Sequence, residues 1–221
     1  MKISILSLFP EMFNGFLNES IIKRAINNKI VDIEIINFRD YSKLSNKMVD
    51  DKPYGGGDGM LLRCEPIFEA IDDIRTNDSY VILMCPTGSV YNQKKALELK
   101  NKKHLIIICG HYEGFDERIK TLADEIISMG DFVLTGGEIP AMAITDSVVR
   151  LLDGVINKES LENESFNDNL LDYPVYTKPY EYRGMKVPDI LLSGDHKKIE
   201  EYRNKERVRV TKEKRQDILG E

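Results

Sequence analysis

Three glycine-bearing segments stand directly after apolar runs: Pro86-Thr87-Gly88 after Tyr80–Cys85, Gly110-His111-Tyr112-Glu113-Gly114 after His104–Cys109, and Met129-Gly130-Asp131-Phe132-Val133-Leu134-Thr135-Gly136-Gly137-Glu138 after a third segment. Glycine permits positive φ and leaves no side chain between backbone and ligand, so such loops suit a tightly enclosed small molecule. One of them alone makes a turn and no more; three at successive strand ends form a set. A fourth glycine-rich stretch, Pro53 to Met60 with Gly55, Gly56, Gly57 and Gly59, has the freedom to close over a substrate. None carries the spaced glycines of a dinucleotide fingerprint or the lysine of a P-loop, which removes the usual support for hydride transfer and nucleotide hydrolysis. A second kind of chemistry lies near the C-terminal end, where nine basic side chains stand against four acidic ones between Lys197 and Arg215. Lysine and arginine here are suited to phosphate, or else they line a solvated helix through i,i+4 ion pairs.

These residues need a frame to hold them. Ile3 to Phe9 and Val31 to Asn37 read as strands, with a helix between them that starts near Ser20 and is capped by Asn18 or Ser20. Tyr80–Cys85 and His104–Cys109 are short, continuously apolar runs, the pattern of strands covered on both faces, and Asn92 to Leu99 reads as a helix between them. Alternating strands and helices predict an α/β fold with a mainly parallel sheet, whose ligand sites gather at the carboxyl ends of the strands. After Asp153 the pattern weakens through the polar stretch Asn157–Glu164. The expected division is a domain over 1–156, a flexible linker over 157–170 and a small helical domain over 171–221.

A chain of 221 residues, 42% hydrophobic, can bury a core. Pro10 and Glu11 end the first apolar run before a signal segment could form, and no run approaches a membrane span, so a soluble cytoplasmic protein is expected. Cys64, Cys85 and Cys109 are too far apart for close-spaced zinc ligation and are read as reduced thiols. The net charge of −6 argues against a surface coated in basic groups, so the cationic segment is a local patch on an acidic body.

Four motifs in one order resemble the bacterial tRNA (guanine-N1)-methyltransferases, the TrmD family of the SPOUT superfamily. They are Tyr54–Met60, Cys109–Arg118, Gly130–Ala141 and Leu191–His196, and Tyr173–Pro179 looks like the same family's segment after the linker. The resemblance implies a knotted parallel-sheet α/β domain, a homodimer with a shared active site, and S-adenosylmethionine as methyl donor. It implies that Pro86, Gly110, Tyr112, Glu113, Gly114, Met129, Gly130, Asp131, Phe132, Val133, Leu134, Gly136, Gly137 and Pro140 surround that cofactor. No metal is needed to hold it, although a magnesium requirement stays open. The acceptor would be N1 of the guanosine immediately 3′ of the anticodon.

Guanine N1 carries a proton at neutral pH, so its methylation wants a base near N1 and a cationic or hydrogen-bonding group near O6. By resemblance Arg150, at the end of the Ala141–Leu151 helix, serves O6; on its own it reads as an ordinary helix C-terminal charge. The family's base is an aspartate just before Ser-Phe, where this chain has Glu164 before Ser165-Phe166. Glutamate keeps the carboxylate and adds a methylene, and Glu164 is the residue assigned, with Asp168 and Asp172 as nearby alternatives. In the C-terminal domain Asp195, Lys197, Arg203 and Arg207 are expected at the tRNA, and His196 either contacts RNA or caps the following helix. Binding is expected to be local and salt-sensitive. The competing readings are a ribose 2′-O methyltransferase of the same superfamily, against which the Tyr54–Met60 and Glu164 segments speak, a non-catalytic RNA-binding module, and, last, a nucleotide hydrolase.

Overall fold

A computed structural model describes residues 1–157, 160–161, 164–166 and 168–220. Lys158, Glu159, Glu162, Asn163 and Asn167 of the expected linker lie outside the described residues. The chain forms two compact units, Met1–Ile156 and Asn157–Glu221. The described part of the expected linker groups with the second unit.

The first unit opens with β1 (Lys2–Ser7), a one-turn helix α1 (Asn14–Leu17), α2 (Ser20–Asn27) and β2 (Asp32–Asn37). Two short strands follow, β3 (Asp50–Asp51) and β4 (Leu61–Leu62), then α3 (Cys64–Ile74), β5 (Ser79–Val90), α4 (Gln93–Leu99), β6 (His104–Ile108), β7 (Glu125–Ser128) and α5 (Glu138–Val149). Five strands make a parallel sheet in the order β2-β1-β6-β5-β7. This is the expected α/β architecture, with the crossovers that parallel strands demand.

The continuous apolar runs work as their composition predicts. Successive side chains of a strand point to opposite faces, so Leu105 and Ile107 of β6 join one cluster while Ile106 and Ile108 join the other. Ile82 and Met84 of β5 side with the first and Val81 and Leu83 with the second. Residues of α2, α4 and α5 close the first cluster, and Ile67, Ala70 and Ile71 of α3 close the second. A sheet sealed on both faces leaves its strand ends as the place where a ligand can reach the backbone.

Three local expectations are corrected. Glu19, rather than Asn18 or Ser20, occupies the N-cap of α2, and it makes no side-chain capping bond. Strand β1 ends at Ser7, two residues before Phe9. Strand β5 runs past Cys85 to Val90, because both Met84 and Ser89 pair with Ile127 and residues 85–88 are looped out between them. At Gly88 any Cβ would run into the Ile126 carbonyl, so only glycine lets this bulge lie flat on β7.

Thr145 on α5 is completely buried, and its Oγ1 is the buried side-chain polar atom that finds no hydrogen-bond partner among the described residues. A buried hydroxyl without a partner forfeits its hydration, whereas a methyl of the same shape does not. Thr145→Val is expected to stabilise the protein by about 1 kcal/mol, read as a rise of about 2–4 °C in the thermal midpoint. A lower midpoint would mean that the hydroxyl has a partner after all.

The second unit contains the hairpin β8 (Glu181–Tyr182) and β9 (Met185–Lys186) and the long helix α6 (His196–Lys214). Its N-cap is Asp195, whose carboxylate accepts the Lys198 amide at 3.2 Å. That settles the capping role on Asp195 and not on His196. Among the described residues no helix is long and apolar enough to cross a membrane.

Candidate functional site

Where β5, β6 and β7 meet their loops, the first unit encloses a cavity of about 430 Å³, within the roughly 300–1,000 Å³ usual for small-molecule sites. Each strand contributes one wall. The bulge in β5 supplies Cys85 and Pro86, the segment after β6 supplies Gly110 to Phe115, and the segment after β7 supplies Met129 and Phe132 to Gly137. Pro140 comes from the first turn of α5.

The walls are fastened backbone to backbone. The Gly137 amide donates to the Gly110 carbonyl at 2.8 Å, and His111 bridges Gly136 in antiparallel sense. A Cβ on Gly137 would lie 2.7 Å from both Cys109 Cα and Gly110 N, so this contact exists only because position 137 has no side chain. On the other side the Leu62 amide of β4 donates to the Gly114 carbonyl at 2.9 Å, the Asp116 amide to the Leu62 carbonyl at 2.9 Å, and the Glu113 amide to the Met60 carbonyl at 3.1 Å. The glycine-rich stretch 53–60 is thereby joined to the pocket wall, and a Cβ on Gly59 would collide with the Glu113 side chain. Tyr54, at the head of that stretch, is fully exposed.

Beneath the pocket floor, the buried Ser7 at the end of β1 donates to Glu138 Oε1 at 2.8 Å and accepts the Phe9 amide at 2.9 Å. Glu138 opens α5, where a carboxylate complements the helix dipole. Complete burial, with Glu138 adding to it, pushes the Cys109 thiol well above its ordinary range, so it stays protonated and inert just after β6. At the rim the Lys120 ammonium lies 2.8 Å from Glu117, whose carboxylate raises its pKa. Phe132, Val133 and Tyr112 expose apolar surface at the same mouth.

Of the residues expected around a cofactor, all but Gly130 and Asp131 line this cavity. Gly130 has φ +129° and shapes the turn from behind, exchanging hydrogen bonds with the Ser128 hydroxyl. Sequence reasoning missed Met84, Cys85, His111, Phe115, Glu117, Lys120, Ile127, Ser128 and Thr135 as lining residues. His111, Phe115 and Thr135 stood inside the quoted motifs, whereas Lys120 comes from a 3-10 turn that carries no pattern. Among the described residues no group of three or more His, Cys, Asp or Glu side chains is disposed to hold a metal ion.

Arg150 is the C-cap residue of α5, partly exposed, and its amide donates to the Asp146 carbonyl at 3.0 Å. In the second unit Glu164 is partly exposed, next to Ser165, whose hydroxyl accepts the Asp172 amide at 2.9 Å. Of the alternative carboxylates, Asp168 is engaged in a two-pronged pair with Arg207, at 2.5 and 3.0 Å. Asp172 accepts the Tyr173 amide at 2.7 Å. Arg207 is 8% exposed, and also donates to the Leu171 carbonyl at 3.3 Å. The guanidinium faces inward and holds the segment that follows Glu164. Lys197 and Arg203 remain exposed.

With this geometry in place, similarity to other proteins becomes informative. The profile of the family described as tRNA (Guanine-1)-methyltransferase TrmD matches residues 1–221. The chain is 57% identical over 219 residues to the tRNA (guanine-N(1)-)-methyltransferase of Malacoplasma penetrans, covering 99% of this chain and 97% of that protein. It is 58% identical to the protein of that name from Ureaplasma urealyticum, over 99% of this chain and 96% of the relative. To that from Staphylococcus epidermidis it is 54% identical, over 99% and 91%.

Proposed function

This chain belongs to the tRNA (guanine-1)-methyltransferase family, and from that premise we propose that its pocket takes S-adenosylmethionine and serves N1 of the guanosine immediately 3′ of the anticodon. The observation that carries the reading is the cavity at the ends of β5, β6 and β7, closed by backbone contacts that tolerate no side chain at Gly137. Backbone amides and carbonyls at 110–114 and 132–137 suit the polar edges of a nucleoside, and Leu134, Phe132 and Pro140 suit its flat apolar face. When bound, the cofactor supplies a methyl group made electrophilic by a sulfonium.

The chain's own residues prepare the acceptor. Glu164 accepts the N1 proton, and Arg150 stabilises the negative charge that gathers on O6. Glu164 is preferred because it stands just before Ser165-Phe166, where the resemblance places the base. The reading includes a homodimer with a shared active site. The exposed Phe132, Val133 and Ile139 beside the pocket give such a partner an apolar surface to cover. It also includes the knotted threading that the resemblance implies. The chain acts in the cytoplasm. No step is assigned to magnesium.

The test is methyl transfer from labelled S-adenosylmethionine to tRNA transcripts with guanine or adenine at the target position, with the product mapped by reverse-transcriptase arrest. An arrest on the guanine transcript alone is the expected result. Transfer to a ribose hydroxyl would sink the reading, and so would cofactor binding without transfer to any tRNA.

A further inference from the structure

The second unit has a cleft of its own, about 500 Å³ in volume, built from the segment Tyr173–Tyr180 and the start of α6. Three phenol rings, Tyr173, Tyr176 and Tyr180, line it together with two cations, Lys178 and Arg203. Among the described residues no Asp or Glu lines it, in a chain whose acids outnumber its bases 37 to 31. The Arg203 guanidinium lies over the Tyr173 ring at 4.8 Å. Tyr180 is fixed by donating its hydroxyl to Asp189 at 3.0 Å. Tyr176 is half exposed, so its ring is in contact with both the cleft and solvent. The neighbouring hairpin repeats the pairing, with Arg183 over Tyr182 at 5.2 Å.

The basic row on α6 offers less than its composition promises. Lys198 is held by Asp195, Arg207 by Asp168, and Arg209 by both Glu206 and Glu213. Phosphate attraction alone would not need three tyrosines. Aromatic faces beside a guanidinium plane match an unpaired base, which presents a π-face to stack on and a phosphate to neutralise.

We propose that this cleft is a nucleobase subsite: it takes one unpaired base of the tRNA, stacked on Tyr176 and flanked by Arg203, with Lys178 at the adjoining phosphate. The site rests on the tRNA reading above and sharpens it, because it moves the unit's RNA contact from the charged row of α6 to an aromatic cleft.

The experiment compares full-length wild type, Tyr176→Ala and Tyr176→Phe in tRNA binding by filter retention and in steady-state methyl transfer, with single-position abasic tRNAs as probes. Stacking on an aromatic is worth about 1–3 kcal/mol per base, so Tyr176→Ala is expected to weaken tRNA binding roughly 5- to 150-fold. Tyr176→Phe keeps the ring and should bind as wild type does. The kcat at saturating tRNA and the KM for S-adenosylmethionine should not move. One abasic position should weaken wild type but leave Tyr176→Ala no weaker than it already is, which identifies the base. Unchanged tRNA affinity in Tyr176→Ala overturns the proposal. So does the absence of any such abasic position, or a changed oligomeric state by light scattering, which would mean a protein surface occupies the cleft. Wild type that binds no tRNA would instead remove the reading on which the proposal stands, and the proposal with it.

Discussion

Replacing Glu164 by glutamine is expected to lower kcat by about 10²- to 10⁴-fold, the usual contribution of a positioned base, while the KM for S-adenosylmethionine stays as it was. Glutamine preserves the length and most of the polarity of the side chain, so the loss would report proton removal and not packing. Glu164→Asp should keep most of the activity, since the resemblance places an aspartate there and only a methylene is lost. Asp168→Asn separates the two carboxylates. It leaves Arg207, 8% exposed, without its charge partner, so it should lower the melting temperature while leaving proton removal in place. Full turnover by Glu164→Gln would move the base to another residue.

Gly137→Ala is expected to raise the KM for S-adenosylmethionine by roughly 5- to 150-fold, and titration calorimetry should show the same loss of affinity. Gly137 sits at φ −84°, a conformation alanine adopts without strain. What forbids a side chain is space, since the new carbon would lie 2.7 Å from Cys109 Cα and Gly110 N. The two loops must part, at a cost typical of overpacking, about 1–3 kcal/mol, and they are the two that close the cavity. Gly15→Ala is the control, because that glycine has no atom within 4 Å of an added Cβ. Wild-type affinity in Gly137→Ala would mean that the walls yield without cost and that their contact does not shape the pocket.

The sheet was readable because its strands are buried on both faces and so leave continuous apolar runs such as Leu105–Ile108. The pocket was readable for a related reason: a glycine after one such run only turns the chain, whereas glycines after three neighbouring runs open a space between the strand ends. The bulge at residues 85–88 was not readable, because it is defined by pairing with Ile127 some forty residues away, and nothing local announces it. Lys120 entered the pocket unannounced for the same cause. The inward turn of Arg207 shows a different limit. Helix α6 buries Arg207 and Thr211, one turn apart on one face, and both are polar. A helix that packs through polar groups carries no hydrophobic period, so composition marked its charges as surface when one of them is a fastening.

That fastening has an electrostatic consequence for association. A cation that is internally neutralised displaces no counterions from the nucleic acid, and each phosphate contact steepens the fall of log affinity with log salt by about 0.9. With Arg207 folded inward and Arg209 shared between two glutamates, the dependence on ionic strength should be shallower than nine basic residues would suggest. The protein would then hold its substrate through shape and stacking over a range of salt in which a purely ionic grip would already have released it.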